Sequence, residues 1–114
     1  MILWKKDSDL YFTFQFKDNG GVVTDPLIKS FIIKIYTTNK LDYREASYNK
    51  ETGEFINCEV NENDPTKIDI FINKPNFNVG RVLMDLCFKT PNDNYEDGYY
   101  DFWVNIKTDI QIVN

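Results

Sequence analysis

Histidine is absent from this 114-residue chain. With it goes the side chain used most often as a general base and as a metal ligand near neutral pH. Cysteine is scarce: Cys58 and Cys87 stand alone, neither beside a second Cys, so no zinc site or activated thiol is suggested. Both fall in strand-like stretches and nothing indicates an oxidising compartment, so buried free thiols are expected rather than a disulfide. Long apolar runs are also missing. The densest is Phe31-Ile32-Ile33, far short of the roughly 18 residues a spanning helix needs, so no membrane association is expected. The opening Met-Ile-Leu-Trp-Lys-Lys sets its few apolar residues ahead of the charges and lacks the long apolar core of a secretory signal. Synthesis in a cytoplasm without export is therefore expected. Basic residues number 13 against 18 acidic ones and lie singly except for Lys5 and Lys6. A phosphate backbone would be repelled, so no nucleic-acid partner is expected.

What the chain has in quantity is large apolar and aromatic side chains: 42% hydrophobic, 16% aromatic, nine Phe and seven Tyr. That suffices for one core without staples, and the length leaves too little chain for a second, so residues 1–114 read as a single domain. The pattern is alternation with a period of two, the signature of half-buried strands. Leu10, Phe12, Phe14 and Phe16 oppose Tyr11, Thr13, Gln15 and Lys17. Asp18-Asn19-Gly20-Gly21 and Asp25-Pro26 are turns. Residues 30–37 form a more buried strand through Phe31, Ile33 and Ile35, and residues 41–48 a weak edge strand. After a turn at Lys50-Glu51-Thr52-Gly53, residues 55–60 alternate through Ile56, Cys58 and Val60, which suggests a hairpin. Ile68, Ile70 and Ile72 mark a further strand. Val82, Met84, Leu86 and Phe88 mark another, apolar on both faces and so central in its sheet.

Short strands with turn signals about every ten residues and no helical spacing describe an all-β fold: an immunoglobulin-like antiparallel β-sandwich of about seven to eight strands. An open barrel of the oligonucleotide-binding kind is the runner-up, disfavoured by the charge balance and by the lack of a helix between the central strands.

The last stretch is the most unusual. Tyr100, Phe102, Val104, Ile106, Ile110 and Ile112 hold one phase, with only Thr108 polar among them. A straight strand of that length would span roughly 40 Å, about twice what a small sandwich needs. A break near residues 107–109 is predicted, with residues 109–114 pairing either with residues 1–4 or with a neighbouring subunit.

Three constellations carry side chains that could do chemistry. The oxygen-rich loop Asn92-Asp93-Asn94-Tyr95-Glu96-Asp97-Gly98 lacks the alternate ligands and closing glutamate of a helical calcium loop and reads as a solvated turn, as do residues 61–64. Trp4, Trp103, Tyr99, Tyr100 and Tyr95, with Asp97 or Asp101, are of the types that stack on sugar rings; Tyr100, however, lies in the apolar phase and reads as core, and Trp103 on the opposite face with Tyr99, Asp101 and Asn105 favours packing or a protein contact. The carboxylate pairs Asp69 with Asp85 and Asp97 with Asp101 occur readily by chance in an acidic chain. No catalytic residue, cofactor or metal ligand is assigned, and the chain is expected not to be an enzyme. The candidate interface comprises Trp103, Tyr99, Asp101, Ile110, Ile112 and Trp4.

Residues 79–88, Val-Gly-Arg-Val-Leu-Met-Asp-Leu-Cys-Phe, followed by Thr90-Pro91, by Tyr95-Glu96-Asp97-Gly98-Tyr99-Tyr100-Asp101 and by Thr108-Asp109-Ile110-Gln111-Ile112, carry a resemblance. This stretch resembles small sandwich domains encoded by phages and prophages of gut Bacteroidetes, including the crAss-like phages. In plan it is also similar to the N-terminal domain of upper baseplate proteins of siphophages. Where that pattern has Pro before Asp-Gly, this chain has Glu96. The resemblance, specific over residues 76–114, implies a non-enzymatic virion structural role: an adaptor or fibre-type component anchored on capsid or tail, with other virion proteins as partners and a homo-oligomer as its form. The alternative is a carbohydrate-binding module used for host attachment.

Overall fold

In chain order the strands are β1 (Ile2–Lys5), β2 (Leu10–Gln15), β3 (Lys17–Asp18), β4 (Gly21–Val22), β5 (Phe31–Thr37), β6 (Arg44–Asn49), β7 (Glu54–Ile56), β8 (Cys58–Val60), β9 (Lys67–Ile72), β10 (Gly80–Pro91) and β11 (Tyr99–Val113). They come from a computed structural model that describes residues 1–18, 21–38 and 43–114. No helix occurs among the described residues. A six-stranded sheet runs β1-β11-β10-β5-β6-β7, a three-stranded sheet runs β2-β9-β8, and β3 and β4 form a short ribbon.

The alternation in the sequence sets the two inner faces. On the large sheet, Tyr48, Phe31 and Phe88 lie in one cross-strand row; Ala46, Ile33, Leu86 and Val104 in the next; Ile35, Met84 and Ile106 in a third. The small sheet answers with Leu10 beside Ile72, Phe12 beside Ile70 and Cys58, and Phe14 beside Ile68 and Val60. Phe31, Ile33, Ile35, Ile68, Ile70 and Val82 lose essentially all contact with water, each contributing about 1.5–3 kcal/mol relative to an exposed side chain. Phe16 fills the centre, its ring 5.5 Å from that of Phe31, 5.1 Å from Phe88 and 5.0 Å from Phe14, edge on in each case.

The expectation of a purely antiparallel sandwich is corrected at one place: β1 runs parallel to β11, Ile2 beside Ile110 and Trp4 beside Ile112, which makes the large sheet mixed. Of the two partners foreseen for the C-terminal residues, the N-terminal segment is therefore the one adopted. The predicted break is also present. Between Arg81 and Leu83 the ladder to β11 slips, so that Leu83 faces Lys107 while Arg81 faces Gln111. The displaced carbonyls find partners: Thr108 Oγ1 donates to Val82 O at 2.8 Å and Arg81 Nε donates to Thr108 O at 2.7 Å.

Two other readings change. The strand beginning at Arg44 lies between β5 and β7 and is not an edge; the preceding part of that reading, with Leu41, lies outside the described residues, as do Asn19 and Gly20 of the first turn. The continuous strand expected over residues 55–60 is broken at Asn57, whose φ of 55° turns the chain from the large sheet to the small one. An L-residue tolerates that region best when it is Asn or Asp. Asn57 is bonded to both sheets, its carbonyl accepting from Phe71 N at 2.9 Å and its Nδ2 donating to Glu45 O at 2.8 Å.

Candidate functional site

The side of the sandwich opposite Asn57 is not closed. Among the described residues the small sheet ends at β2, which has β9 on one side only, and β1 covers β11 only from Ile110 to Val113. Among the described residues no strand pairs with the outer edge of β11 over residues 99–109. Between these two edges lies an apolar groove of about 640 Å³, walled by Phe14, Val23 and Pro26 on one side and by Phe88, Val104 and Ile106 on the other. Tyr100 and Val104 lie on the core-facing side of β11 yet are 41% and 36% exposed, because the β10–β11 hairpin is longer than the sheet packed beneath it. The long axis of the molecule is 47 Å against 34 and 28 Å for the others. The expectation that Tyr100 is core is corrected accordingly: its phase is that of the core, its coverage is not.

Backbone groups along these edges follow from the ladders. Antiparallel residues alternate between facing one neighbour and facing the other. Lys89 N donates to Ser30 O and Asn92 N to Gly98 O, so odd positions of β10 face β5 and even positions of β11 face β10. The N–H and C=O of Tyr99, Asp101, Trp103, Asn105 and Lys107 therefore point outward from β11. By the same rule, Phe71 N bonding Asn57 O turns the groups of Tyr11 and Thr13 to the free edge of β2.

The outer face of the large sheet carries the polar half of the same strands. Trp103 is 48% exposed, with Lys34 Nζ 5.4 Å from its ring centroid and 5.2 Å from that of Tyr43. Beside it Tyr36 Oη donates to Asp85 Oδ1 at 2.8 Å, while Asn105 Nδ2 donates to Asp85 Oδ1 at 2.7 Å and to Tyr36 Oη at 3.0 Å. Burial raises the Tyr36 phenol above its ordinary value, and the Asp85 carboxylate adds to the shift. At the end of this face Tyr99 Oη donates to Glu51 Oε1 at 3.0 Å, and that carboxylate raises the Tyr99 phenol. A second cleft, of about 620 Å³, opens nearby, lined in part by Lys29, Lys50 and Lys89. Its cations are engaged: Lys29 Nζ donates to Thr90 Oγ1, Lys50 Nζ to Ile28 O, and Lys89 lies over the Tyr99 ring.

Of the six candidate interface residues, the structure brings Tyr99, Asp101 and Trp103 into one outer-face row bordering the free edge of β11. Ile110 and Ile112 are placed elsewhere. They are 4% and 3% exposed, packed in the core where β1 seals the sheet, and offer a partner no side chain. Trp4 is half-buried against the same core, and its Nε1 donates to Asp9 O at 2.9 Å. Lys34, Tyr43, Val104 and Ile106 were missed. The phase of Val104 and Ile106 was legible, but which inner positions stay uncovered depends on the length of another sheet.

Asp69 and Asp85 do not meet. Asp69 is buried on the small sheet, accepting from Thr13 Oγ1 at 2.6 Å and from Asn61 Nδ2 at 2.9 Å, whereas Asp85 lies on the outer face of the large one. Asp97 Oδ1 accepts from Tyr99 N and Asn92 Oδ1 from Asn94 N, so these two side chains of the 92–98 loop cap its own turns. Among the described residues no three acidic or thiol side chains converge as metal ligands. Cys58 and Cys87 are both free and buried. Cys58 is in the core, its thiol pushed up to about 11 by burial, while Cys87 lies on the outer side of β10 between Ile32 and Trp103 in register.

No protein-family model, no curated protein and no solved structure matches the chain.

Proposed function

We propose that this chain is a non-catalytic assembly module: an immunoglobulin-like sandwich that joins other virion proteins of a phage through strand edges and its outer face. The observation that carries the reading is the open side, where two unpaired edges flank an apolar groove. Such edges template pairing with another chain, and soluble proteins normally blunt or cover them. Strand order supports the immunoglobulin comparison. A three-stranded sheet faces a larger one in which β1 runs alongside the last strand and two further strands extend beyond β5, as in the variable type. The virion setting rests on the resemblance of residues 76–114. It makes purified phage particles the place to look: quantitative mass spectrometry should find the chain at fixed stoichiometry with capsid or tail proteins, and its absence from washed particles would overturn the virion role.

The carbohydrate-binding alternative has the Trp103 face in its favour, since an exposed indole beside Tyr43 and Asn105 is the kind of surface on which sugar rings stack. The polar groups beside it are already bonded to one another through Tyr36, Asp85 and Asn105, which leaves fewer for hydroxyls. Specific retention on a glycan array, lost in Trp103→Ala, would select this reading instead.

A further inference from the structure

We infer that the partner of the free β11 edge is a second copy of the same strand, paired antiparallel about a two-fold axis through Val104. This deepens the assembly reading and rests on it. β1 occupies β11 from Ile110 onward, and the hairpin turn ends at Gly98. Tyr99 N is held by Asp97 Oδ1 and Asp109 by the Met1 ammonium, so the outward-facing positions left unpaired among the described residues are 101, 103, 105 and 107, and their midpoint is Val104. An antiparallel self-pairing centred there uses the whole free edge and collides with neither β1 nor the turn. Residues whose backbone groups point outward must meet each other. Centring on Val104 sets Asp101 opposite Lys107 and Trp103 opposite Asn105, all of them outward-facing positions.

Charge then distinguishes this register from its neighbours. With the axis at Val104, symmetry creates two Asp101–Lys107 pairs, both on the outer face. Asp101 and Lys107 are exposed, and neither makes an ion pair within the chain among the described residues. Moving the axis to Trp103 sets Asp101 against Asn105 and wastes the lysine on Tyr99. Moving it to Asn105 sets Asp101 against Asp109. Only the central register pairs opposite charges, and directly opposed charges are the cross-strand pairs that select alignment. On the inner face the same register brings Val104 against its symmetry mate and carries the exposed Tyr100 and Val104 of both copies over the apolar grooves. The result is a continuous twelve-stranded sheet, six strands from each copy, in which both β11 edges are satisfied.

The test is sedimentation equilibrium on the full chain, with charge variants at surface positions that leave the core intact. The unmodified chain should be a dimer whose affinity falls as salt rises. Asp101→Lys places Lys against Lys107 twice, and Lys107→Asp places Asp against Asp101 twice; each alone should weaken self-association by about tenfold or more. An equimolar mixture of the two variants should dimerise again, because every opposed pair is then of opposite sign. Circular dichroism of each variant reports whether the fold is kept. A wild-type chain that stays monomeric at high concentration, or a mixture that associates no better than its separate components, would overturn the inference. A monomer still found at fixed stoichiometry in phage particles would leave the assembly reading standing, whereas a dimer absent from particles would remove the virion role and keep the pairing.

Discussion

The two long sides of this sandwich are built in opposite ways. On one, a single run of chain passes from the large sheet to the small sheet through Asn57, which is hydrogen-bonded to both, so the edge is sewn shut by backbone. On the other, β2 and β11 face each other across a groove, and among the described residues no strand pairs with the outer edge of β2 or with that of β11 before Ile110. Both sides draw on the same alternating pattern of apolar residues. The difference teaches that coverage, not hydrophobicity, decides whether an inner-face residue works as core: Ile33 and Val104 lie in one cross-strand row, yet Ile33 is fully buried and Val104 is not.

The sharpest test of that contrast is the covered end of a row. Phe31→Ala removes a ring packed against Phe16 and Tyr48 and should cost about 3–5 kcal/mol in chemical denaturation. A loss near 1 kcal/mol would mean that the middle of the sandwich is as loosely packed as its open side. Next in size is the sewn side itself. Asn57→Ala keeps a positive φ that alanine resists and deletes the bond to Glu45 O, for an expected loss of about 1–2 kcal/mol, while Asn57→Gly, which accepts the φ, should lose less. If the two variants are equally stable, the conformation at this residue is not what holds the sheets together there.

A pH series probes the covered region differently. Burial raises the Cys58 thiol from about 9 to about 11. Between those values the unfolded chain has released its proton and the folded chain has not, so the folded state binds more protons and stability falls as pH rises through that window. Cys58→Ala lacks this contribution. The melting-temperature advantage of the unmodified chain over the variant should therefore shrink from pH 9 to pH 11; a constant gap would mean that the thiol is open to water. The smallest effect belongs to the open side. Val104→Ala should change stability by no more than about 0.5 kcal/mol at concentrations where the chain is monomeric, and a loss above about 1 kcal/mol would show that the groove is filled within a single chain.

Much of the fold was legible because a period of two is a local property. The strands around Phe31, Ile70 and Leu86, the turn ending at Gly53 and the break near Thr108 all follow from residues that are neighbours in sequence. What was not legible depends on partners. Ile56 and Cys58 share a parity, but the left-handed residue between them sends them to different sheets, leaving Ile56 exposed and Cys58 buried. Ile110 and Ile112 read as candidates for a partner's surface because the run looked too long to be covered; β1 covers them, and nothing in the tetrapeptide Ile-Leu-Trp-Lys declares that it will lie parallel. In the candidate site, Trp103, Tyr99 and Asp101 were found by phase alone. The lysine stacked on Trp103 comes from a distant strand and could be placed only by the register.

The parallel ladder between β1 and β11 also sets an order of events. It joins segments separated by nearly the whole chain, the contact for which loop-closure entropy is greatest, so it is expected to form after the local hairpins. During synthesis β1 emerges well before β11 and cannot form this ladder until β11 follows. Until then the growing chain holds strands β2 to β10 with the β10 edge that β11 will occupy still open, and the rate at which β11 is delivered decides how long that edge is available to strangers.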